Sequence, residues 1–274
     1  MDKYHILNFH EIFSENAFCL SKRLGIKLDK EFKPEKDHTY IIFGAHNQAA
    51  TLHAIQLSNP YFKYIIINAE PPQSDNLRNK YYISLMKSNI VLDYHPKSAE
   101  YLKSLDIRVY GQYLFEFPEI KSSAERDIDI LFVGSKNDRR EAVYKRLVER
   151  YPDKKIEFHF DWKHGNQQEM TKLLHRAKVV LNIPYYESGI LESHRINKAL
   201  ACGCKVVSLY SGHKPTDQFY EKYCFMVHDF FEYFDTEDMC PDSLEVKESY
   251  PKLIANFHGS IVHTKWILEQ LIKN

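Results

Sequence analysis

Short runs of consecutive apolar residues alternate along the chain with longer stretches whose apolar positions recur every three or four residues. TYIIFGA at 39–45, YIIINA at 64–69 and NIVLDY at 89–94 are short and apolar throughout, the pattern of strands buried on both faces. YHILNF at 4–9 and DIRVYG at 106–111 bring the predicted strands to five. Helical spacing runs through Ala17, Leu20, Ser21 and Leu24 and stops at Gly25, AATLHAIQL follows the second strand, and PKSAEYLKSL puts Pro96 in a helical first turn.

The stretch EFPEIKSSAER at 116–126 is polar and contains a proline, a linker-like shift, and the alternation then restarts. DIDILFVGS at 127–135, KIEFHF at 155–160, KVVLNIPYY at 178–186 and CKVVSLY at 204–210 predict strands. DRREAVYKRLVERY, NQQEMTKLLHRA and ESHRINKALACG predict the helices between them, and HGSIVHTKWILEQLIKN at 258–274 predicts a last helix. Strands separated by helices imply parallel sheets covered on both faces. The expected class is α/β, with Rossmann-like domains at 1–118 and 119–250 facing a cleft and a C-terminal segment at 251–274. Ligands of such sheets sit beyond the carboxyl ends of the strands, so the residues just after each strand are where chemistry is expected.

Composition narrows the function classes. Lys plus Arg and Asp plus Glu both number 37 in 274 residues. That balance, with no basic run, argues against a nucleic-acid binder, which needs cations to neutralise phosphates. No apolar run approaches the roughly 18 residues of a membrane span, and MDKYHILNFHEIF lacks the basic and apolar regions of a signal peptide. The five cysteines, Cys19, Cys202, Cys204, Cys224 and Cys240, are scattered and lack zinc-knuckle spacing, so reduced thiols in a cytoplasmic protein are expected, with no metal. No GxGxxG, GxxxxGK[ST] or GxSxG occurs, against dinucleotide oxidoreductases, P-loop enzymes and nucleophile-elbow hydrolases. Asp127-Ile128-Asp129 begins a strand instead of ending one, the wrong edge for a metal-binding DxD.

Three groups of post-strand residues remain. Gly134, Ser135, Asn137, Arg139 and Arg140 form a small-residue turn into a helix, which suits a phosphate or is an ordinary capped turn. Pro184, Tyr185, Tyr186, Ser188 and Gly189 follow the next strand. Glu192 and Arg195 stand three apart on a helix, as a ribose acceptor and a phosphate donor or as a surface pair. In the first half, the candidates for a base that deprotonates a hydroxyl are Glu15 or Glu11 first, then His46, then Glu70; any single one is more often a cap or turn residue.

These segments resemble a group of GT-B-type glycosyltransferase-like proteins carrying YNLEQ, WDYS, LFxGSxNxRR, LNxHYY and ExxRI. Asn68, Glu70, Asp93 and Tyr94 match in the first half. In the second half Asp129, Gly134, Ser135, Asn137, Arg139, Arg140, Asn182, Tyr185, Tyr186, Glu192 and Arg195 match, so the resemblance spans about 64–210. Departures are Pro71 for Gln, Pro184 for His, and Lys198 where retaining members often carry a second Glu. The resemblance implies a nucleotide-diphosphate sugar, UDP- or GDP-linked, held by the second domain. It also implies a glycan or glycoconjugate hydroxyl acceptor on the first domain, a last helix crossing back to it, and no cofactor or metal. An inverting hexosyl- or pentosyltransferase is the expected enzyme. A non-catalytic nucleotide-sugar module or another Rossmann-type sugar-nucleotide enzyme is the alternative.

Overall fold

The computed structural model describes residues 3–59, 61–120, 125–160, 167–187, 189–236 and 249–260. The chain divides into two compact units: Met1–Phe117 together with the segment that starts at Ala255, and Pro118–Ile254.

The first unit runs β1 (Tyr4–Asn8), α1 (Ser14–Leu24), β2 (Lys27–Leu28), β3 (Thr39–Phe43), α2 (Ala49–Ser58), β4 (Lys63–Asn68), α3 (Lys80–Lys87), β5 (Ile90–Asp93), α4 (Pro96–Ser104) and β6 (Val109–Gln112). All pairings are parallel, in the order β2-β1-β3-β4-β5-β6. The uniformly apolar runs do what their pattern implies: Ile41, Ile42, Ile65, Ile66, Ile67, Val91 and Leu92 are all buried. Each contributes about 1.5–3 kcal/mol by leaving water. Tyr40, Tyr64, Tyr82 and Phe62 join this core, and Tyr64 spends its hydroxyl on Leu52 O at 3.5 Å. The sixth strand begins later than its sequence pattern, because Asp106 takes a left-handed φ of 59° in the turn after α4.

The second unit runs β7 (Ile128–Gly134), α5 (Asp138–Arg150), β8 (Ile156–Phe160), α6 (Gln167–Arg176), β9 (Ala177–Asn182), α7 (Ser193–Ala201), β10 (Lys205–Leu209), α8 (Lys214–Tyr220), β11 (Phe225–Val227) and α9 (Phe230–Thr236). Its sheet is also parallel, in the order β11-β10-β9-β7-β8. Ile130, Phe132, Val179, Leu181 and Val207 form its core with Phe230, Phe231 and Phe234. Arg126 ties two helix ends to the sheet, donating to Leu174 O at 3.2 Å and Cys202 O at 2.8 Å. A final helix, α10 (Tyr250–Ser260), begins eight residues before the predicted 258–274. The rest of that stretch, with Trp266, lies outside the described residues, as do Ser188 and Cys240. Among the described residues no helix is long and apolar enough to cross a membrane.

Candidate functional site

Both strand orders contain a reversal. In the first sheet the chain leaves β1 for β2 on one side and then crosses to β3 on the other. In the second it leaves β7 for β8 and crosses to β9. The connections after β1 and β3, and those after β7 and β9, therefore leave toward opposite sides of their sheet, and the carboxyl ends at such a reversal are the usual ligand position in such sheets.

At the first reversal Gly44 ends β3 with φ +67°, and a Cβ there would stand 2.6 Å from His10 Cβ. Only glycine lets the two loops close to this distance. Asn47 Nδ2 donates to Phe9 O at 3.0 Å and Phe9 N to Phe43 O at 2.9 Å, which stitches the loops together. The rings of His10 and His46 consequently lie 5.8 Å apart. His10 Nδ1 accepts from Ile12 N at 3.3 Å and caps the short turn Glu11–Phe13.

His46 Nδ1 stands 3.2 Å from Glu70 Oε1. Glu70 follows β4, the neighbour of β3, so strand adjacency brings the pair together. The other Glu70 oxygen accepts from Asn76 Nδ2 at 3.0 Å and from Ser74 Oγ, which fixes the carboxylate. Burial holds the His46 pKa below the ordinary imidazole value, against the opposing pull of the Glu70 charge. A neutral imidazole with Nδ1–H on a carboxylate presents Nε2 as a proton acceptor. Glu11 is exposed on its turn and Glu15 is half-buried in the first turn of α1.

Asn68 and Asp93 form the frame behind Glu70. Asn68 Nδ2 donates to Asp93 Oδ2 at 2.7 Å and to Glu70 O at 3.1 Å, and its Oδ1 accepts from Tyr82 OH at 2.9 Å. Ser98 Oγ donates to Asp93 Oδ2 at 2.9 Å, and His95 N to Oδ1 at 2.9 Å. Burial pushes the Asp93 carboxyl up to about 7, although these donors pull it down. Residues that carried the sequence resemblance thus serve here as buried braces.

At the second reversal an ionic cluster joins the two loops. Arg140, 1% exposed, donates through Nε and Nη2 to Ile183 O at 3.0 and 2.6 Å and through Nη1 to Ser135 O at 2.9 Å. Its Nη2 also reaches Glu192 Oε1 at 2.9 Å, an oxygen that accepts from Tyr185 N at 2.7 Å. Arg195 pairs with Glu192 Oε2, and donates to Asn182 Oδ1 at 2.9 Å and Val133 O at 3.1 Å. Both guanidiniums lie against Phe132, 4.9 and 5.0 Å from its centroid. Burial and the neighbouring Arg195 lower the Arg140 pKa to about 10, so it stays a cation at neutral pH.

Glycine permits this packing too. A Cβ on Gly134 would meet Arg195 Nη2 and Phe132 Cζ, both at 2.9 Å, and one on Gly189 would meet Tyr186 O at 2.6 Å and Pro184 Cβ at 3.1 Å. Asn137 caps α5 by accepting from Arg140 N at 2.9 Å and donates to Tyr185 O at 2.7 Å. Arg139 reaches Pro184 O and Tyr186 O at 3.5 and 3.4 Å. All eleven described members of the predicted second-half set thus lie at this one reversal. Arg140 and Arg195 hold the loops from within, whereas Ser135 and Tyr185 are exposed. The Asp127-Ile128-Asp129 carboxylates at the far end of β7 are engaged by Arg176, Lys155 and Lys178.

Two doubly wound parallel-sheet units in one chain, each with polar side chains at its reversal, define a GT-B-like α/β fold. Anabaena Alr3699/HepE in complex with UDP is similar to this structure, with a TM-score of 0.54, 10% sequence identity, and coverage of 99% of this chain and 98% of that one. Its complex with UDP and glucose gives 0.55 at 9% identity over 94% and 98%, and its complex with UDP-glucose gives 0.51 at 10% over 86% and 89%. At these identities the likeness is one of fold. No protein-family model and no curated protein matches the chain.

Proposed function

We propose that the protein transfers a sugar from a nucleotide-diphosphate sugar to a hydroxyl of a glycan or glycoconjugate acceptor, with inversion and without a metal. The observation that carries this reading is the half-buried His46–Glu70 pair at the first reversal, 3.2 Å between Nδ1 and Oε1. His46 Nε2 takes the acceptor hydroxyl proton as the oxygen attacks the anomeric carbon. Glu70 holds the ring in the required tautomer and stabilises the imidazolium that forms.

In this reading the second unit binds the donor. Ser135 and the start of α5 face the diphosphate, whose charge is offset by the helix N-terminus and by Arg139. The exposed face of Tyr185 takes the nucleobase or sugar ring, and Glu192, 27% exposed, accepts from the ribose hydroxyls. Arg140 and Arg195 position these groups. The GT-B-like fold and the full-length likeness to a protein solved with UDP and UDP-glucose support the donor class.

A thermal-shift panel of UDP, UDP-glucose, GDP- and dTDP-sugars, followed by donor-turnover assays, tests the proposal. A shift with one nucleotide class, and turnover lost in His46→Gln with the shift retained, is the expected result. No shift with any nucleotide overturns it, and binding without turnover favours a nucleotide-sugar module.

A further inference from the structure

At the amino ends of the first-sheet strands, away from His46 and Glu70, a second polar cluster is built from β1 and the 29–38 connection. His5 Nε2 lies 2.7 Å from His38 Nδ1, and His38 Nδ1 lies 3.7 Å from Glu35 Oε2. One donor atom from each of these three residues lies within 4.8 Å of the others, and no other such group of three occurs among the described residues.

The surroundings hold these groups in place. His5 Nδ1 is 2.6 Å from Asp29 Oδ2, and the other Asp29 oxygen is 2.6 Å from Lys27 Nζ. The Asp29 carboxylate keeps the proton on Nδ1, so Nε2 presents its lone pair. The His5 ring stacks on Tyr40, its register partner in β3, with centroids 5.0 Å apart and planes 18° apart. The Tyr40 hydroxyl accepts from Glu35 N at 2.8 Å and donates to Lys33 O at 3.1 Å, which anchors the loop that carries Glu35. His38 directly precedes β3.

We propose that His5 Nε2, His38 Nδ1 and a Glu35 carboxylate oxygen form a site for a divalent transition metal, with Zn2+ the ion their chemistry fits. Two imidazoles and a carboxylate are a common zinc donor set, and the Asp29–His5 pair supplies the carboxylate–histidine support such ligands use. Tetrahedral Zn2+ with bonds of about 2.0–2.1 Å sets ligand atoms about 3.3 Å apart. The two nitrogens need to part by about 0.6 Å, and the Glu35 oxygen to approach His38 Nδ1 by about 0.4 Å and to come within about 3.3 Å of His5 Nε2. The Glu35 side chain is 58% exposed, so it is free to swing and leaves an entry path. Without metal, the short nitrogen–nitrogen contact needs a proton from His38 Nδ1 to His5 Nε2. On binding, His38 changes tautomer: Nδ1 gives up its proton to solvent and Nε2 takes one from solvent, so His38 ligates through Nδ1 as a neutral imidazole with no net proton change. A fourth position remains for water. Bound there, the metal clamps the 29–38 connection to the sheet, and it is separate from the proposed sugar transfer.

Titration of the chelator-treated full chain with Zn2+ by calorimetry, and with Co2+ by visible absorption, tests the site. The wild type should bind one equivalent with tetrahedral Co2+ bands and gain melting temperature with Zn2+. His38→Ala and Glu35→Gln should weaken binding by at least roughly tenfold, and Asp29→Asn by about 10–100-fold. Glu35→Gln alters an exposed side chain, so its fold is preserved and its result stands even if His38→Ala unfolds. No Zn2+ uptake by the wild type, or wild-type affinity in Glu35→Gln and His38→Ala, would overturn the proposal.

Discussion

Glu70 Oε1 and His46 Nδ1 lie 3.2 Å apart, and the second Glu70 oxygen is held by Ser74 and Asn76. A carboxylate fixed in this way sets the ring orientation of its partner. If His46 is the base, His46→Gln lowers donor turnover by roughly 10²–10⁴-fold while changing donor affinity little. Glu70→Gln lowers it by a smaller factor, because the imidazole remains but loses its charged partner. Steady-state kinetics with UDP-glucose and a separate binding titration check both. Wild-type turnover in His46→Gln would remove it from the mechanism.

The pH profile gives an independent check. Burial lowers the His46 pKa from its ordinary 6.5, and the Glu70 charge raises it by less. The neutral, proton-accepting form therefore predominates at pH 7. The rate should rise with pH through an acid limb centred below 6.5 and level off above it. Glu70→Gln removes the raising influence, so its limb moves to lower pH even as its plateau falls. A limb that stays put or moves upward would assign it to another group.

Asp93 makes a prediction about stability. Its carboxyl is pushed up to about 7 by burial, from 3.8. Between about pH 4 and pH 7 the folded chain holds a proton that the unfolded chain has lost, so this group's contribution to stability falls as pH rises through that window. Asp93→Asn removes the titration. The stability of the variant relative to wild type should climb from pH 4 to pH 7 by on the order of 2–4 kcal/mol, then flatten. Denaturant unfolding across that range measures it, and a pH-independent difference would refute the burial argument.

The sequence revealed the larger elements and hid the pairings. Ile65, Ile66 and Ile67 sit in β4 because continuous apolar runs suit a doubly covered sheet. β2, with two residues, is too short to carry a period. The Tyr81-Tyr82-Ile83 run in α3 favours strand locally, and only the Asn79 cap, accepting from Tyr81 N and Tyr82 N, marks a helix start. Pro251 occupies the first turn of α10, where its missing N–H leaves no helical bond unmade. In the first half His46 and Glu70 were separate candidates, since the adjacency of β3 and β4 that joins them is a tertiary fact. The His5–Glu35–His38 group was invisible for the same reason. In the second half the post-strand rule named loops that the structure brings together at one reversal, but gave no sign that Arg140 would be buried against Ile183 O instead of standing in solvent.

That burial decides the last prediction. Arg140 is 1% exposed, and Glu192 is the only carboxylate recorded against it among the described residues. Glu192→Ala would leave the cation facing carbonyl dipoles and the like charge of Arg195. The expected cost is roughly 2–4 kcal/mol of stability, below the full penalty for a broken buried pair because Glu192 is partly solvated. Glu192→Gln should cost less, since an amide oxygen still accepts from Tyr185 N. Donor affinity should fall in both variants, because Ser135 and the 183–185 loop lose part of the tie between them. Denaturant midpoints and UDP-glucose titration separate the two effects. An unchanged midpoint in Glu192→Ala would mean that the carbonyls of Ile183 and Ser135 alone satisfy Arg140, and that Glu192 is free to serve the ligand only.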